Sequence, residues 1–165
     1  MDLGQAAALA DEYAKGGLER ELATLRSEWA DELEASCRSN DYRVRALAYR
    51  AIAQFRFRQK LELLRRGLED ESPAARGSAL IALESLSRTH PGDVNAFRPL
   101  LHDLAARDPN VAVRRLAVVC LRNGTPQRDT IQILDGIADD DDEDAELRKA
   151  ARTVSAQLLK KSRAK

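Results

Sequence analysis

The chain has 165 residues, of which 33% are charged and only 4% are aromatic, and its 27 basic side chains balance 27 acidic ones. The abundance of Ala, Leu, Arg and Glu favours helices and argues against a β-sandwich or barrel, and a zero net charge supplies no overall attraction for nucleic acid or membrane. No apolar stretch is long enough to span a bilayer and no secretory leader pattern begins the chain, so we expect a soluble, cytoplasmic protein.

One short pattern occurs four times along the chain. It consists of a helix-capping residue, a short gap, an apolar or small residue followed by arginine, and an alanine three positions later. The copies read DYRVR at 41–45, SPAAR at 72–76, NVAVR at 110–114 and DAELR at 144–148. Their arginines are 31, 38 and 34 residues apart, a period that indicates stacked helical hairpins.

Each copy of the pattern predicts the start of a helix. Asp, Ser and Asn are favoured N-cap residues, and apolar or small residues follow each arginine at helical spacing. The predicted second helices cover about 42–57, 73–87, 111–122 and 145–160. Apolar stripes predict a partner helix before each of them, and residues 3–15 predict a further helix that shields the N-terminal end of the stack.

These elements predict a single domain over residues 1–165. Glycine- and proline-containing breaks separate the helical hairpins, as expected for helix ends. The predicted parts are an N-terminal cap at 1–17, repeats at 18–58, 59–88, 89–123 and 124–160, and a basic tail at 161–165.

The repeated residues resemble the HEAT-like repeats of α-solenoids. The family's aspartate is matched by Asp70, Asp108 and Asp142, and its apolar–arginine pair by Val44-Arg45 and Val113-Arg114. The resemblance covers about residues 18–160 and implies an all-α solenoid of about four hairpins. It further implies that second helices line a concave face that binds protein, or nucleic acid in some members. The repeated arginines are then structural and bridge adjacent repeats; they are Arg45, Arg76, Arg114 and Arg148.

A helical wheel places a ridge of residues opposite the core stripe of each second helix. The middle of this ridge holds Ile81 and Val119 flanked by arginines, which is typical of a protein interface. The alternative is that these two residues have no role, since exposed apolar residues are common. The predicted partner-binding residues are Arg50, Ile81, Glu84, Arg115, Val119, Arg122 and Lys149.

Charge is segregated along the chain. Residues 1–41 contain ten acids and four bases, whereas residues 42–66 contain eight bases and one acid. One interpretation is an anion-binding patch for an acidic protein or a phosphate backbone. The other, which we favour, is that these bases pair with the acidic first hairpin. The residues of the predicted patch are Arg43, Arg56, Arg58 and Lys60.

The sequence predicts no catalytic, metal or cofactor site. The acidic run at 139–144 lacks the glycine and the ligand spacing of a calcium loop, and His90 and His102 have no neighbouring metal ligands. A glycine-rich phosphate loop and a nucleophile elbow are both missing. We therefore expect a protein that is not an enzyme.

Three functional hypotheses remain. The first is a protein-binding module that uses the concave face, as an adaptor, an assembly factor or an inhibitor or immunity-type protein. The second is nucleic-acid binding through residues 43–66, by resemblance to HEAT-like DNA-repair proteins. The third is an enzymatic relative of the bilin-lyase type, for which no catalytic residue can be named. The sequence does not predict the partner or the oligomeric state.

Overall fold

The computed structural model describes residues 1–164, over which all regular secondary structure is helical. A single 3₁₀ turn at Arg58–Lys60 precedes the fourth α-helix. The α-helices in this range are α1 Leu3–Lys15, α2 Glu19–Cys37, α3 Tyr42–Gln54, α4 Leu61–Leu68, α5 Pro73–Ser87, α6 Pro91–Arg107, α7 Val111–Leu121, α8 Arg128–Asp139 and α9 Ala145–Arg163. The predicted all-α class is confirmed. Lys165, the last residue of the predicted basic tail, lies outside the described residues.

The helices form two compact units. The first unit is Met1–Leu86, and the second begins at Ser87. In the first unit, α1 packs against α2 and α3, and α3 packs against α2 and α4. In the second, α6 packs against α7, α8 packs against α9, and α7 also contacts α9. Both units therefore contain hairpins in which a partner helix precedes a helix that begins with the repeated motif.

The four motif helices have the predicted N-caps. In each, a side-chain oxygen of the capping residue accepts a hydrogen bond from a backbone N–H of the first turn, which satisfies a donor that has no partner within the helix. The bonds are Asp41 to Arg43 N at 2.9 Å, Ser72 to Ala75 N at 3.4 Å, Asn110 to Val113 N at 3.1 Å and Asp144 to Leu147 N at 3.0 Å.

The helix α3 ends at Gln54, three residues before its predicted end. The backbone of Arg56 adopts a left-handed conformation with φ of 56°, which stops the helix. Its guanidinium Nη1 donates to the carbonyls of Ala53 at 2.8 Å and Gln54 at 3.2 Å. The guanidinium thus adds hydrogen bonds to carbonyl groups at the C-terminal end of the helix. The sequence predicts a longer helix because the apolar residues Phe55 and Phe57 continue the pattern through this turn, where both are buried.

The close approach of α4 to α5 depends on a glycine. A Cβ atom placed on Gly67 would lie 2.7 Å from the Cβ of Ala79 and 3.1 Å from the ring of Tyr49. Both of these neighbours are buried in the core of the first unit. Gly67 therefore sets how closely these two helices pack.

Candidate partner-binding grooves

One groove of the first unit lies between α1, α3 and α5. We call it the α3–α5 groove; its volume is about 610 Å³. The helix α1 contributes Gly4 and Asp11, next to residues of the turn that follows α3. The residues of α3 and α5 that line it are Tyr42, Arg43, Ala46, Leu47, Arg50, Ala53, Gln54, Ala74, Ser78, Ile81, Ala82 and Ser85.

The α3–α5 groove combines small residues with exposed apolar side chains. Alanine and serine make up the α5 lining except for Ile81, and two alanines contribute from α3. The large apolar side chains are accessible: Tyr42 is 48% exposed, Leu47 is 43% exposed and Ile81 is 39% exposed. Such side chains gain free energy when a partner removes them from water.

The charged groups of this groove are already paired, with one exception. Asp11 accepts from Lys15 at 2.6 Å and from Arg56 at 2.9 Å. Burial opposes ionisation of Asp11, but these two cations outweigh it and hold the pKa of its carboxyl below the ordinary value. Arg43 pairs with Asp41 at 3.2 Å. Arg50 is exposed and makes no ion pair or side-chain hydrogen bond with any residue in the described range.

A smaller groove lies in the second unit between α7 and α9. We call it the α7–α9 groove; its volume is about 230 Å³. Arg115 and Lys149 are exposed on its two sides, and Val119 lies between them and is half-buried. The Lys161 ammonium donates to the backbone carbonyl of Arg122. The described lining of this groove has more cations than carboxylates, because Glu146 is its one carboxylate beside Arg115, Arg122 and Lys149.

The structure separates the predicted ridge into these two grooves. Arg50 and Ile81 line the first groove, and the predicted ridge residues of α7 and α9 line the second: Arg115, Val119, Arg122 and Lys149.

Glu84 is the predicted ridge residue that lines neither groove. It is only 9% exposed and makes polar contacts within the structure. A wheel with one buried stripe treats the remainder of the helix as solvent-facing, whereas a helix in a repeat array is also covered by its neighbours. Glu84 is therefore not part of the surface that we propose below.

Sequence reasoning missed two features of the α3–α5 groove. It treated α1 only as a cap, but this helix supplies one wall. It also left Leu47 out of the predicted partner-binding residues, although this side chain is exposed. The signal that could have identified Leu47 is its place two residues after the motif arginine, beside Ala48, which fills the core position.

The predicted anion patch is largely neutralised. Arg56 pairs with Asp11, and Lys60 pairs with Glu34 at 2.6 Å, so that two of its cations contact carboxylates of α1 and α2. The hydrogen bond from Lys60 is the main reason why the pKa of Glu34 lies below its usual value. Arg43 pairs with Asp41, and Arg58 also has a partner. These contacts support pairing with the acidic first hairpin over a free anion-binding patch.

The repeated arginines make structural contacts. Arg45 reaches the turn before the next motif helix, where it binds Asp70. Arg114 likewise reaches the turn before the next motif helix, where it pairs with Glu143 at 2.6 Å. The repeat pattern indicates Asp142, the preceding residue, as the partner. The other two arginines bond to the segment before their own helix: Arg76 to the carbonyl of Asp70 at 2.9 Å, and Arg148 to Asp141 at 3.1 Å.

Comparison with known families assigns these repeats. Residues 30–103 match the family model for HEAT repeats. This segment is therefore similar to HEAT repeats. The matched HEAT-repeat segment begins in α2 and ends in α6, so it includes both α3 and α5. HEAT repeats are commonly scaffolds for protein interactions and are typically non-enzymatic. No curated protein matches the chain.

Two further properties of residues 1–164 bear on other kinds of site. No group of three or more His, Cys, Asp and Glu side chains in this range is placed to hold a metal ion. Nor does any helix of this range combine the length and the apolar character that crossing a membrane requires. The two histidines bond to threonines instead: His102 contacts Thr130 at 2.8 Å and His90 contacts Thr89 at 3.0 Å.

Proposed function

We propose that the chain is a protein-binding module and that its partner occupies the α3–α5 groove. The supporting observation is that one groove brings together exposed apolar side chains, a floor of small residues and an unpaired arginine. An apolar centre bordered by arginine is also the usual anatomy of protein interfaces.

Nucleic acid fits this surface less well than protein does. A phosphate backbone is bound by several cations that are free to contact it, whereas Arg43 and Arg56 already pair with carboxylates. Single strands also need aromatic platforms for stacking. Tyr42 is the exposed aromatic residue of the groove lining, and the guanidinium of Arg43 already lies 5.9 Å from the centre of its ring.

The α7–α9 groove is a second proposed contact surface. Its exposed cations, Arg115 and Lys149, lie beside the half-buried Val119. A protein partner with an acidic segment would complement this arrangement. Arg122 completes the set of proposed contacts in the second unit.

Site-specific photocrosslinking tests the proposed function. A benzophenone amino acid replaces Ile81 in the groove or, as a control, Glu32, which is exposed on α2. In lysate of the source cells, we expect a crosslinked polypeptide from position 81 that resists nuclease and is missing from position 32. A nuclease-sensitive product, or no product from position 81, contradicts the proposal. Identification of the polypeptide distinguishes an adaptor, an assembly factor and an inhibitor.

A substitution in the same groove tests whether its apolar surface causes the capture. Leu47→Asp places a charge among the apolar side chains and should abolish the product at position 81. Because Leu47 is 43% exposed, this change should leave the fold intact. Circular dichroism and the unfolding midpoint verify this point. Unchanged crosslinking by the folded Leu47→Asp variant contradicts the placement of the partner.

A further inference from the structure

We infer that the partner segment in the α3–α5 groove is an amphipathic α-helix, with apolar side chains against Leu47 and Ile81 and an acidic side chain against Arg50. This inference rests on the proposed function and adds the conformation and the chemistry of the partner. It follows from three properties of the groove: the state of its backbone, the size of its floor residues and the pairing of its charges.

The backbone of the groove favours a helical partner over an extended one. The walls are helices, whose interior N–H and C=O groups are already hydrogen-bonded within each helix. An extended segment would therefore find no strand edge to pair with and would bury its own backbone groups against alanine and isoleucine. A helix satisfies its backbone internally and presents only side chains to the groove. The neutral polar side chains of the lining, Gln54, Ser78 and Ser85, are too few to replace a row of backbone partners.

The floor of the groove allows a helix to come close. Ala46 and Ala53 on α3 lie seven residues apart, about two helical turns, and Ser78 and Ala82 lie one turn apart on α5. Small residues at this spacing form a shallow channel, while Leu47 and Ile81 project beside it. The 13 residues of α3 extend over about 20 Å. A partner helix of about three to four turns would match this length.

The pairing of charges in the groove indicates which charge the partner's side chain carries. Asp11 is the one carboxylate among the described residues of the lining, and it is held by two cations. A basic partner side chain would therefore meet no available carboxylate. Among the cations that line the groove, Arg50 is the one that has no partner in the described range, and it lies on the same face of α3 as Ala46 and Ala53. A glutamate or aspartate of the partner would form a charge-assisted hydrogen bond with Arg50.

Selection from a displayed peptide library tests this inference before the cellular partner is identified. The probe is a library of about 16-residue peptides with randomised sequence, selected on the full chain. We expect the bound peptides to carry apolar residues at i, i+3 or i+4, and i+7, with Asp or Glu on one flank, and to gain helical circular dichroism on binding. Enriched peptides that are rich in proline or that remain extended overturn the inference, and so does the lack of any enriched peptide.

A charge exchange then tests the contact with Arg50. Fluorescence anisotropy should show that Arg50→Glu weakens the selected peptides about tenfold or more. Replacing the acidic residue of the peptide by lysine should restore binding to Arg50→Glu. The matched control is Arg20→Glu, an exposed arginine of α2 in the same unit. Equal effects of the two substitutions, or no rescue by the lysine peptide, overturn the inference.

The failure of the inference can be distinguished from the failure of the proposed function. A polypeptide that crosslinks at position 81 while no helical peptide is selected leaves the protein-binding module standing and removes only the amphipathic helix. The lack of any polypeptide crosslink at position 81 removes the proposed function itself.

Discussion

Arg45 and Asp70, 25 residues apart in the chain, form an ion pair with two contacts: Nε and Nη2 of the arginine lie 2.8 and 2.9 Å from the two carboxylate oxygens. Both side chains are largely buried, at 11% and 7% exposure. Asp70 also accepts from the backbone N–H of Ser72 at 2.9 Å, and Arg45 donates to the carbonyl of Ser39, also at 2.9 Å. One pair therefore joins the start of α3 to the turn before α5.

Breaking this pair should destabilise the protein. Asp70→Asn leaves the largely buried Arg45 guanidinium with only the exposed Glu71 carboxylate, 3.9 Å away, and we expect the free energy of unfolding to fall by about 2–4 kcal/mol. Urea denaturation measures the change. The control is Arg43→Ala, which removes the exposed pair with Asp41 and should cost less than about 1 kcal/mol. Similar losses for both variants would show that burial gives the Arg45–Asp70 pair no special importance.

The same aspartate should make stability depend on pH. Burial opposes its ionisation, but hydrogen bonds from Arg45 and Ser72 outweigh burial and lower the pKa of Asp70 below its ordinary value. A carboxyl with a lower pKa in the folded state stabilises the fold fully above the unfolded value of about 3.9, and this contribution disappears as pH falls through the folded value. Between pH 6 and pH 2, the free energy of unfolding should fall less for Asp70→Asn than for the original chain. Parallel curves would contradict this assignment.

Gly67 should tolerate alanine poorly although it lies in a helix. A methyl group there would contact Ala79 at 2.7 Å and Tyr49 at 3.1 Å, so α4 and α5 would have to separate. We expect Gly67→Ala to lose about 1–3 kcal/mol of unfolding free energy, despite the higher helix propensity of alanine. Gly136→Ala in α8 is the matched control, because no atom lies within 4 Å of its added Cβ. This control should gain up to about 1 kcal/mol.

Both cysteines should resist thiol reagents in the folded protein. Cys37 and Cys120 are both buried. Desolvation raises the pKa of the Cys37 thiol to about 12, so at pH 8 only about one thiol in ten thousand is ionised. Ellman's reagent should react slowly with the native protein and rapidly with both thiols in guanidinium chloride. Rapid modification of the native protein would contradict the buried placement.

The acidic first hairpin should suppress the affinity of the chain for polyanions. Asp11→Asn combined with Glu34→Gln releases Arg56 and Lys60 from their partners, and the double variant should elute from heparin at higher salt. Asp31→Asn with Glu32→Gln changes the net charge equally but removes exposed carboxylates of α2. Equal elution of the two double variants would show that net charge, and not the release of these two cations, controls binding.

The sequence predicted the helices far better than the surface between them. Caps such as Asp41 and Asn110 act within one turn, so their local pattern is sufficient to locate a helix start. The role of polar residues six positions before each motif arginine was less evident. Asp70 and Asp108 accept from the N–H two residues later, which shapes the turn before the cap. This role requires the turn geometry, which residue spacing alone does not supply.

The groove was harder to predict because it depends on contacts that are distant in sequence. Arg56 lies 45 residues from Asp11, and no periodic pattern connects a residue of α1 with the turn after α3. Glu84 shows the same limit, since it is only 9% exposed although the helical wheel places it opposite the core stripe. The positions of Arg50 and Ile81 on the groove lining were easier to predict, because each projects from a single helix whose orientation the motif defines.

The small residues on the floor of the α3–α5 groove offer a way for related chains to change the partner that they bind. Alanine and serine have no chemistry that marks a site, yet at Ala46, Ala53 and Ser78 they determine the space that a partner can occupy. Ala46 is only half-buried, so a larger side chain there could change the groove while the core remains intact. Related chains could therefore acquire different partners through enlargements at alanine positions, with every motif arginine and every helix cap retained.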